Sequence, residues 1–200
     1  MKYIYLTLFL FYFSGAVAQN IVLATYQYGE NNRLENIKPL AQYLSDSLGL
    51  NVEVKSYPTV HAFIAGIQKN EVDIALINTF GYLLLETARQ KYKMKPCAVL
   101  KVKEGTENNY KTAILARTDF PVDTITNLKS VSSNFKLGLV NICSTSGNLI
   151  PRLKMASIGI ETPENMFKTV EYCNNHKNTV HLLLRNEIDI CAVGSTEYFN

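Results

Sequence analysis

The chain lacks an excess of charge of either sign, and it lacks the closely spaced cysteines of a small disulfide-bonded scaffold. Its 20 lysines and arginines against 17 aspartates and glutamates leave a net charge of +3, far short of the clustered basic surface that nucleic-acid binding needs. Its four cysteines, Cys97, Cys143, Cys173 and Cys191, are widely separated and allow three disulfide connectivities, among which the sequence does not choose. The composition, 47% hydrophobic over 200 residues, is that of an ordinary globular chain with one large domain or two small lobes.

Long apolar runs are missing as well, except at the N-terminus. Lys2, the apolar run at 3–13 and the small residues Ala16–Ala18 form the pattern of a signal peptide over residues 1–18, cleaved after Ala18. We therefore expect an exported protein, periplasmic or secreted. An uncleaved membrane anchor is the alternative, although the run is short. No cysteine directly follows it, so lipid anchoring is not indicated.

After this leader, buried strands alternate with amphipathic helices. In the first half we predict strands at 21–27, 51–57 and 72–77 and helices at 34–48 and 59–69. In the second half we predict strands at 135–140, 167–172 and 188–193 and helices at 148–159 and 179–185. Such alternation is typical of an α/β fold with mostly parallel sheets and helical crossovers.

The two halves also resemble each other in sequence. Residues 69–82 and 185–198 align without a gap, each with a basic residue, Asn-Glu, Asp-Ile and an apolar strand. Any helix-to-strand turn could share this pattern, but two lobes of like construction are the simpler interpretation. The segment 110–128 holds one strand and then polar turn residues, which places a lobe boundary near Ala116.

A run of three hydroxyl side chains and a glycine, Ser144 to Gly147, follows the predicted strand at 135–140. In open α/β sheets ligands bind at the carboxyl ends of strands, close to helix N-termini. The run could therefore hold a tetrahedral oxyanion, or it could be an N-cap with solvated neighbours. It has no P-loop lysine, so a nucleoside triphosphate is not implied. Tyr57 stands at the end of the predicted strand at 51–57, and His176 and Glu197 follow the predicted strands at 167–172 and 188–193.

These motifs resemble those of the phosphate/phosphonate-type periplasmic substrate-binding proteins of ABC importers. The resemblance covers nearly all of the mature chain, and STSG-x-x-x-P followed by a histidine after the next strand is its most specific part. It implies a type 2 periplasmic-binding-protein fold with the ligand in a cleft between two α/β lobes. Lobe 1 would span 19–115 and lobe 2 would span 116–193, with 194–200 starting the return to lobe 1. Lobe 1 would then be incomplete at the C-terminus.

The resemblance also implies roles for particular residues. Ser144, Thr145 and Ser146 would hold phosphoryl oxygens, and His176 would be a further donor. Tyr57 and Tyr110 would be phenols that close from the first lobe, and Glu197 would meet a ligand amine. Lys177 stands where an acidic residue is common in the family, which favours a more anionic ligand and argues against an amine at Glu197.

The function that we expect is capture of a phosphonate, phosphite or phosphate for ABC-type import, without catalysis, metal or cofactor. The expected partners are the small anion and an ABC permease, with no nucleic acid. A sensing domain that signals to a membrane-bound partner is an alternative with the same fold. A thiol enzyme using Cys143 and His176 is a less favoured alternative, as is metal binding by Cys143, Cys173 and His176. His61 and His181 are expected to be packed or surface histidines.

Overall fold

The described residues form two separate β-sheets, one from each half of the chain. The computed structural model describes residues 20–27, 32–90, 92–99, 101, 103–106 and 110–199. The predicted signal peptide at 1–18 lies outside the described residues. No helix in the described part of the chain is long and apolar enough to cross a membrane.

The first sheet is entirely parallel and has the strand order β2-β1-β3. Its strands are β1 (Ile21–Tyr26), β2 (Val52–Tyr57) and β3 (Ile74–Ala75), and its helices are α1 (Arg33–Leu48), α2 (Val60–Gln68) and α3 (Thr79–Thr87). Gly49 ends α1 in a left-handed conformation with φ of 66°, as the sequence predicts. Helix α2 buries Val60, Phe63 and Ile67 against the sheet, because these apolar residues recur at helical spacing.

The second sheet has four strands in the order β4-β7-β5-β6. They are β4 (Thr112–Ala116), β5 (Lys136–Leu139), β6 (Thr169–Tyr172) and β7 (Ile190–Gly194), with helices α4 (Ile150–Ala156), α5 (Pro163–Met166), α6 (His176–Leu184) and α7 (Thr196–Phe199). Strands β5, β6 and β7 are parallel to one another, and β4 is antiparallel to β7. The mostly parallel sheets predicted from sequence are thus confirmed.

Strand β4 belongs to the second sheet, where it pairs with β7 over its whole length. The backbone of Lys111 also pairs with Ser195, so the chain has already entered the second lobe at that point. A boundary drawn from the sheets therefore falls before Thr112, whereas the sequence places it near Ala116. The two boundaries differ because β4 pairs with a strand that is distant in sequence, and local sequence patterns do not report such pairing. Helix α7 packs against α6 and β7, and a return to the first lobe over 194–200 stays a prediction.

The repeated sequence segments form the same turn in both lobes. Asn70 and Asn186 are left-handed, with φ of 58° and 60°, and each follows the end of a helix. Three residues later an aspartate carboxylate accepts a backbone hydrogen bond at the start of a neighbouring strand: Asp73 from Val22 N and Asp189 from Lys136 N, both at 2.8 Å. The sequence match between residues 69–82 and 185–198 therefore reflects the same hydrogen-bonded turn, which joins each crossover helix to its sheet.

Candidate functional site

The hydroxyl run begins a helix after β5. Ser144 is 2% exposed, and its Oγ accepts a hydrogen bond of 3.1 Å from Gly147 N. The run then forms a π-helical turn, Thr145–Leu149, that continues into α4. Ser144 is therefore the N-cap that the sequence allowed as one alternative. The cap also fixes the direction in which the next two hydroxyl side chains point.

Thr145 contacts the first lobe directly. Its Oγ1 accepts a hydrogen bond of 3.1 Å from the backbone N–H of Phe80, in the first turn of α3. Two residues earlier in the same loop, the carbonyl oxygen of Cys143 accepts a hydrogen bond of 3.0 Å from Asn78 Nδ2. Asn78 is also the N-cap of α3, since its Oδ1 accepts from Gly81 N at 2.8 Å. The N-terminus of α3 and the start of the helix after Ser144 therefore meet between the lobes.

This meeting has an electrostatic consequence. Each helix N-terminus carries a partial positive charge and backbone N–H groups without intrahelical partners. Two such ends repel each other in the absence of a negative group. The arrangement accordingly favours an anion between α3 and the hydroxyl run.

Ser146 lies beside Tyr110. The Tyr110 hydroxyl and Ser146 Oγ are 2.8 Å apart, and Thr112 Oγ1 donates to the Ser146 carbonyl at 3.1 Å. Gly194 makes this approach possible, because a Cβ there would lie 2.5 Å from the Tyr110 hydroxyl oxygen. Tyr110 precedes β4, so it reaches Ser146 from the second lobe and not from the first lobe as predicted.

His176 joins the same cluster through Gly194. The Gly194 N–H donates to His176 Nδ1 at 3.0 Å, which places the proton of the neutral ring on Nε2. Burial lowers the pKa of His176, and the nearby Glu197 carboxylate partly opposes this. The imidazole is therefore neutral at physiological pH with Nε2–H as its donor. Glu197 is exposed at the start of α7.

Tyr57 lies away from the cluster, contrary to its predicted role. Its side chain is buried in the core of the first lobe, where the hydroxyl donates to Glu71 Oε2 at 3.0 Å. The ring occupies a slot left by Gly66, at which a Cβ would lie 2.4 Å from the Tyr57 hydroxyl oxygen. Its ring centroid is 5.4 Å from that of Phe63. The packing of α2 thus directs this side chain, a feature that a strand-end position in the sequence does not reveal.

A cavity between the lobes, which sequence reasoning missed, lies next to the hydroxyl run. It has a volume of about 380 Å³ and is lined by Tyr26 and Gln27 at the end of β1, by 58–61, by 141–143 and by Asn174. In it His61 Nδ1 lies 3.7 Å from Cys143 Sγ, so the exposed His61 faces the opposite lobe. The position of Tyr26 and Gln27 at the carboxyl end of a parallel strand is the signal that could have indicated it.

The cysteines do not form the constellations weighed from the sequence. All four thiols are free, and the imidazole in contact with Cys143 belongs to His61. Burial raises the pKa of the Cys143 thiol, which is the opposite of what a nucleophilic cysteine requires. Within the described part of the chain, no three His, Cys, Asp or Glu side chains are grouped so that they could hold a metal ion.

Comparison with known proteins gives one family. The sequence model of the family described as "ABC transporter, phosphonate, periplasmic substrate-binding protein" matches residues 24–199. Among solved structures, a binding protein component of an ABC phosphonate transporter from Pseudomonas aeruginosa has a TM-score of 0.64 and 16% identity, over 90% of this chain and 59% of its own. PhnD1 from Prochlorococcus marinus in complex with methylphosphonate has a TM-score of 0.63 and 17% identity, over 88% of this chain and 65% of its own.

A third structure, of a Xanthomonas citri protein bound to ATP, has a TM-score of 0.64 and 20% identity, over 90% of this chain and 66% of its own. The chain therefore spans less than two thirds of the length of each of these three proteins. At such identities the likeness concerns the fold, which is that of a two-lobed, type 2 periplasmic binding protein.

Proposed function

The chain belongs to the family of periplasmic substrate-binding proteins of phosphonate ABC transporters, and on that premise we propose that it captures a small phosphorus oxyanion between its lobes. A phosphonate, phosphite or phosphate would then be delivered to an ABC permease. Delivery to a permease and not to a signalling partner rests on the family alone. Capture requires no covalent chemistry, only closure of the lobes around the ligand.

The observation that carries this proposal is the contact between Phe80 N–H and Thr145 Oγ1. It brings the N-terminus of α3 from one lobe against the hydroxyl run of the other. A phosphoryl oxygen inserted there would accept a hydrogen bond from the Phe80 N–H. It would also accept one from the Thr145 hydroxyl, since a hydroxyl can donate as well as accept. Charge-assisted hydrogen bonds of this kind are about twice as strong as neutral ones.

The neighbouring groups would complete the oxyanion site. Ser146 and Tyr110 present two hydroxyls 2.8 Å apart. His176 would add its Nε2–H as a donor, because its Nδ1 accepts a hydrogen bond from Gly194 N. All of these groups are neutral donors, which suit an anion whose charge is balanced by helix N-termini. Ser144 would contribute mainly as the cap that orients the run.

An extracytoplasmic location follows from the family. We propose further that residues 1–18 are a signal peptide, cleaved after Ala18. Mass spectrometry of the protein secreted to the periplasm of a bacterial host should find Gln19 at the N-terminus. An intact N-terminus would contradict cleavage without affecting the proposed binding.

Isothermal titration calorimetry of the purified chain with phosphate, phosphite, methylphosphonate and 2-aminoethylphosphonate tests the binding role. We expect at least one of these anions to bind, and the double variant Thr145→Ala with Ser146→Ala to lose the binding heat. The matched control, Thr126→Ala with Ser130→Ala, removes two exposed hydroxyls from the 3-10 turn Ile125–Ser130 and should bind like the unchanged protein. Absence of binding for all four anions would overturn the proposal.

A further inference from the structure

The helical turn that carries the hydroxyl run has an unusual hydrogen-bond pattern. Residues Thr145–Leu149 form a π-helical turn, in which Leu149 N donates to the Ser144 carbonyl, five residues earlier, at 3.0 Å. Such a turn holds one residue more than an α-helical turn, is rare, and occurs frequently at functional sites. We therefore expect side-chain contacts from its surroundings to stabilise it.

Asn148 closes the loop that leads into this turn. The residue is 2% exposed, and its Nδ2 donates to the Ile142 carbonyl at 2.8 Å. Ile142 directly precedes Cys143, whose own carbonyl accepts a hydrogen bond from Asn78 of the first lobe. The segment 142–148 is thus a ring closed by one side chain, and it contains the hydroxyl groups of the candidate site.

Arg152, in α4, holds the Asn148 amide from the other side. Its Nε donates to Asn148 Oδ1 at 2.7 Å, so the amide is oriented with Nδ2 toward Ile142. The terminal nitrogens of Arg152 donate to both carboxylate oxygens of Glu164, in the first turn of α5. Nη2 also donates to the Tyr172 hydroxyl, at the end of β6, at 3.0 Å. Two neighbouring elements therefore fix the guanidinium.

The contacts of Arg152 use the shape of the guanidinium as well as its charge. The hydrogen bond from Arg152 lowers the pKa of the Glu164 carboxyl, so this group is ionised at neutral pH. A planar guanidinium can bind a carboxylate with two nitrogens while its Nε binds a third group. A lysine has no such planar fork, and it would not connect Asn148 with Glu164 in this geometry.

We propose that Arg152 and Asn148 are a positioning pair for the oxyanion site. Arg152 orients the Asn148 amide, and the amide holds the loop in the conformation that presents the Thr145 and Ser146 hydroxyls to the ligand. Neither member of the pair touches the ligand in this proposal. The inference rests on the proposed capture of a phosphorus oxyanion, and it adds two residues on which affinity depends. A loop that is ordered before binding favours affinity, because less conformational freedom is lost on binding.

Arg152→Lys tests the pair, because it keeps the positive charge and removes the fork. We expect its affinity for the tightest-binding of phosphate, phosphite, methylphosphonate and 2-aminoethylphosphonate to fall about tenfold in calorimetry, since the loop would then be ordered only on binding. Arg152→Gln should lose at least as much. An affinity of Arg152→Lys equal to that of the unchanged protein would overturn the inference, whatever its melting temperature.

Arg117→Lys is the matched control for the loss of a fork. The Arg117 side chain is 24% exposed, against 25% for Arg152, and it binds Asp119 and Asp189. Asp189 also accepts from Lys136 N at the start of β5, whereas the hydroxyl run follows the end of that strand. We expect Arg117→Lys to lose thermal stability and to bind the anion like the unchanged protein. An equal loss of affinity in both variants would contradict a positioning role.

A double-mutant cycle tests whether Arg152 acts through Asn148. Asn148→Ala should weaken binding, and the further change Arg152→Lys should then have no effect on affinity, because the amide that the guanidinium orients is already absent. Additive losses of affinity would overturn the pair.

Hydrogen exchange gives a readout that needs no ligand and no Asn148 variant. The backbone amides of 143–149 should exchange faster in Arg152→Lys than in the unchanged protein, and in Arg117→Lys they should exchange at the unchanged rate. Unchanged exchange of these amides in Arg152→Lys would also overturn the inference.

The inference and the proposed function fail in distinguishable ways. If none of the four anions binds to the unchanged protein, the proposed function fails, and the binding role of the pair fails with it. If an anion binds and depends on Thr145 and Ser146, but binds equally well to Arg152→Lys, only the positioning pair fails.

Discussion

The backbone N–H of Phe80 in α3 donates a 3.1 Å hydrogen bond to Thr145 Oγ1 in the hydroxyl run of the opposite lobe. The contact joins residues 65 positions apart and belongs to neither sheet. It defines where the two lobes touch beside the candidate oxyanion site. The hydroxyl of Thr145 thus contributes both to the contact between the lobes and to the proposed binding of the ligand.

Thr145→Val should weaken oxyanion binding at least tenfold. The substitution keeps the shape of the side chain but removes the hydroxyl, and a hydrogen bond to a charged group is worth about 1.5–3 kcal/mol. Thr145→Ser retains the hydroxyl and is the matched control, which should bind within a few-fold of the unchanged protein. Calorimetry with the tightest of the four anions measures both. Equal affinities for Val and Ser at this position would remove Thr145 from the site.

Asn78→Asp should keep the N-cap of α3 but remove the hydrogen bond that Asn78 donates to the opposite lobe. Aspartate keeps the oxygen that accepts from Gly81 N and remains a good N-cap, but it cannot donate to the Cys143 carbonyl. Its negative charge would also stand beside the proposed anion site. We expect thermal stability to change by less than about 1 kcal/mol, while oxyanion affinity falls tenfold or more.

Asn78→Ala is the comparison for this variant, since it removes both the cap and the donor without adding charge. It should lose stability, as the loss of an N-cap typically costs about 1 kcal/mol. If Asn78→Asp binds the anion as tightly as the unchanged protein, the N-terminus of α3 does not take part in binding.

The imidazole of His176 should titrate below its ordinary pKa of 6.5, because burial disfavours the charged ring. An unfolded chain binds this proton more readily than the folded one. The contribution to stability is therefore fully present above about pH 6.5 and is lost as the pH falls toward the folded-state pKa. NMR titration of the ring measures the pKa directly, and a value at or above 6.5 would contradict this environment.

Glu197→Gln provides a check on the sign of this effect. The Glu197 carboxylate raises the pKa of His176 against the larger influence of burial. Its neutralisation should therefore lower the His176 pKa further. A rise in that pKa would show that the two residues are not arranged as described.

The paired aspartates of the two repeated turns should differ in their contribution to stability. Asp189 accepts from Lys136 N and from Arg117 Nη1, both at 2.8 Å, in a partly buried setting. Asp73 accepts from Val22 N at an exposed position, where water can replace it. We expect Asp189→Ala to lower the free energy of unfolding by about 2–3 kcal/mol and Asp73→Ala by about 1 kcal/mol or less. Urea denaturation of the two variants would contradict this if Asp73→Ala were the more damaging change.

Local sequence patterns were sufficient for most of the fold. The apolar spacing of α2 and the stop at Gly49 predict their elements because both effects act within a few residues. The sequence places the helix start near Asn148, whereas the helical turn begins at Thr145 with Ser144 as its cap, the alternative that the sequence left open for the hydroxyl run. The boundary near Ala116 leaves β4 in the first half, whereas β4 pairs with β7, which lies about 80 residues later, and no local pattern reports such pairing.

The candidate site was less accessible from the sequence for the same reason. Tyr57 ends a strand, as a site residue can, but its side chain packs in the slot opposite Gly66 and is therefore buried in the core. His61 was expected to be a packed or surface histidine, and only the approach of the second lobe brings Cys143 to it. Such contacts between lobes depend on the three-dimensional arrangement and are not encoded at any one position.

The most direct test of the central claim is a crystal structure of the protein grown with methylphosphonate. We predict that the phosphonate oxygens lie within hydrogen-bond distance of both Phe80 N and Thr145 Oγ1, with the methyl group toward the cavity lined by Tyr26 and Cys143. A bound phosphonate that contacts neither group, or lobes that hold no ligand at saturating concentration, would contradict the account.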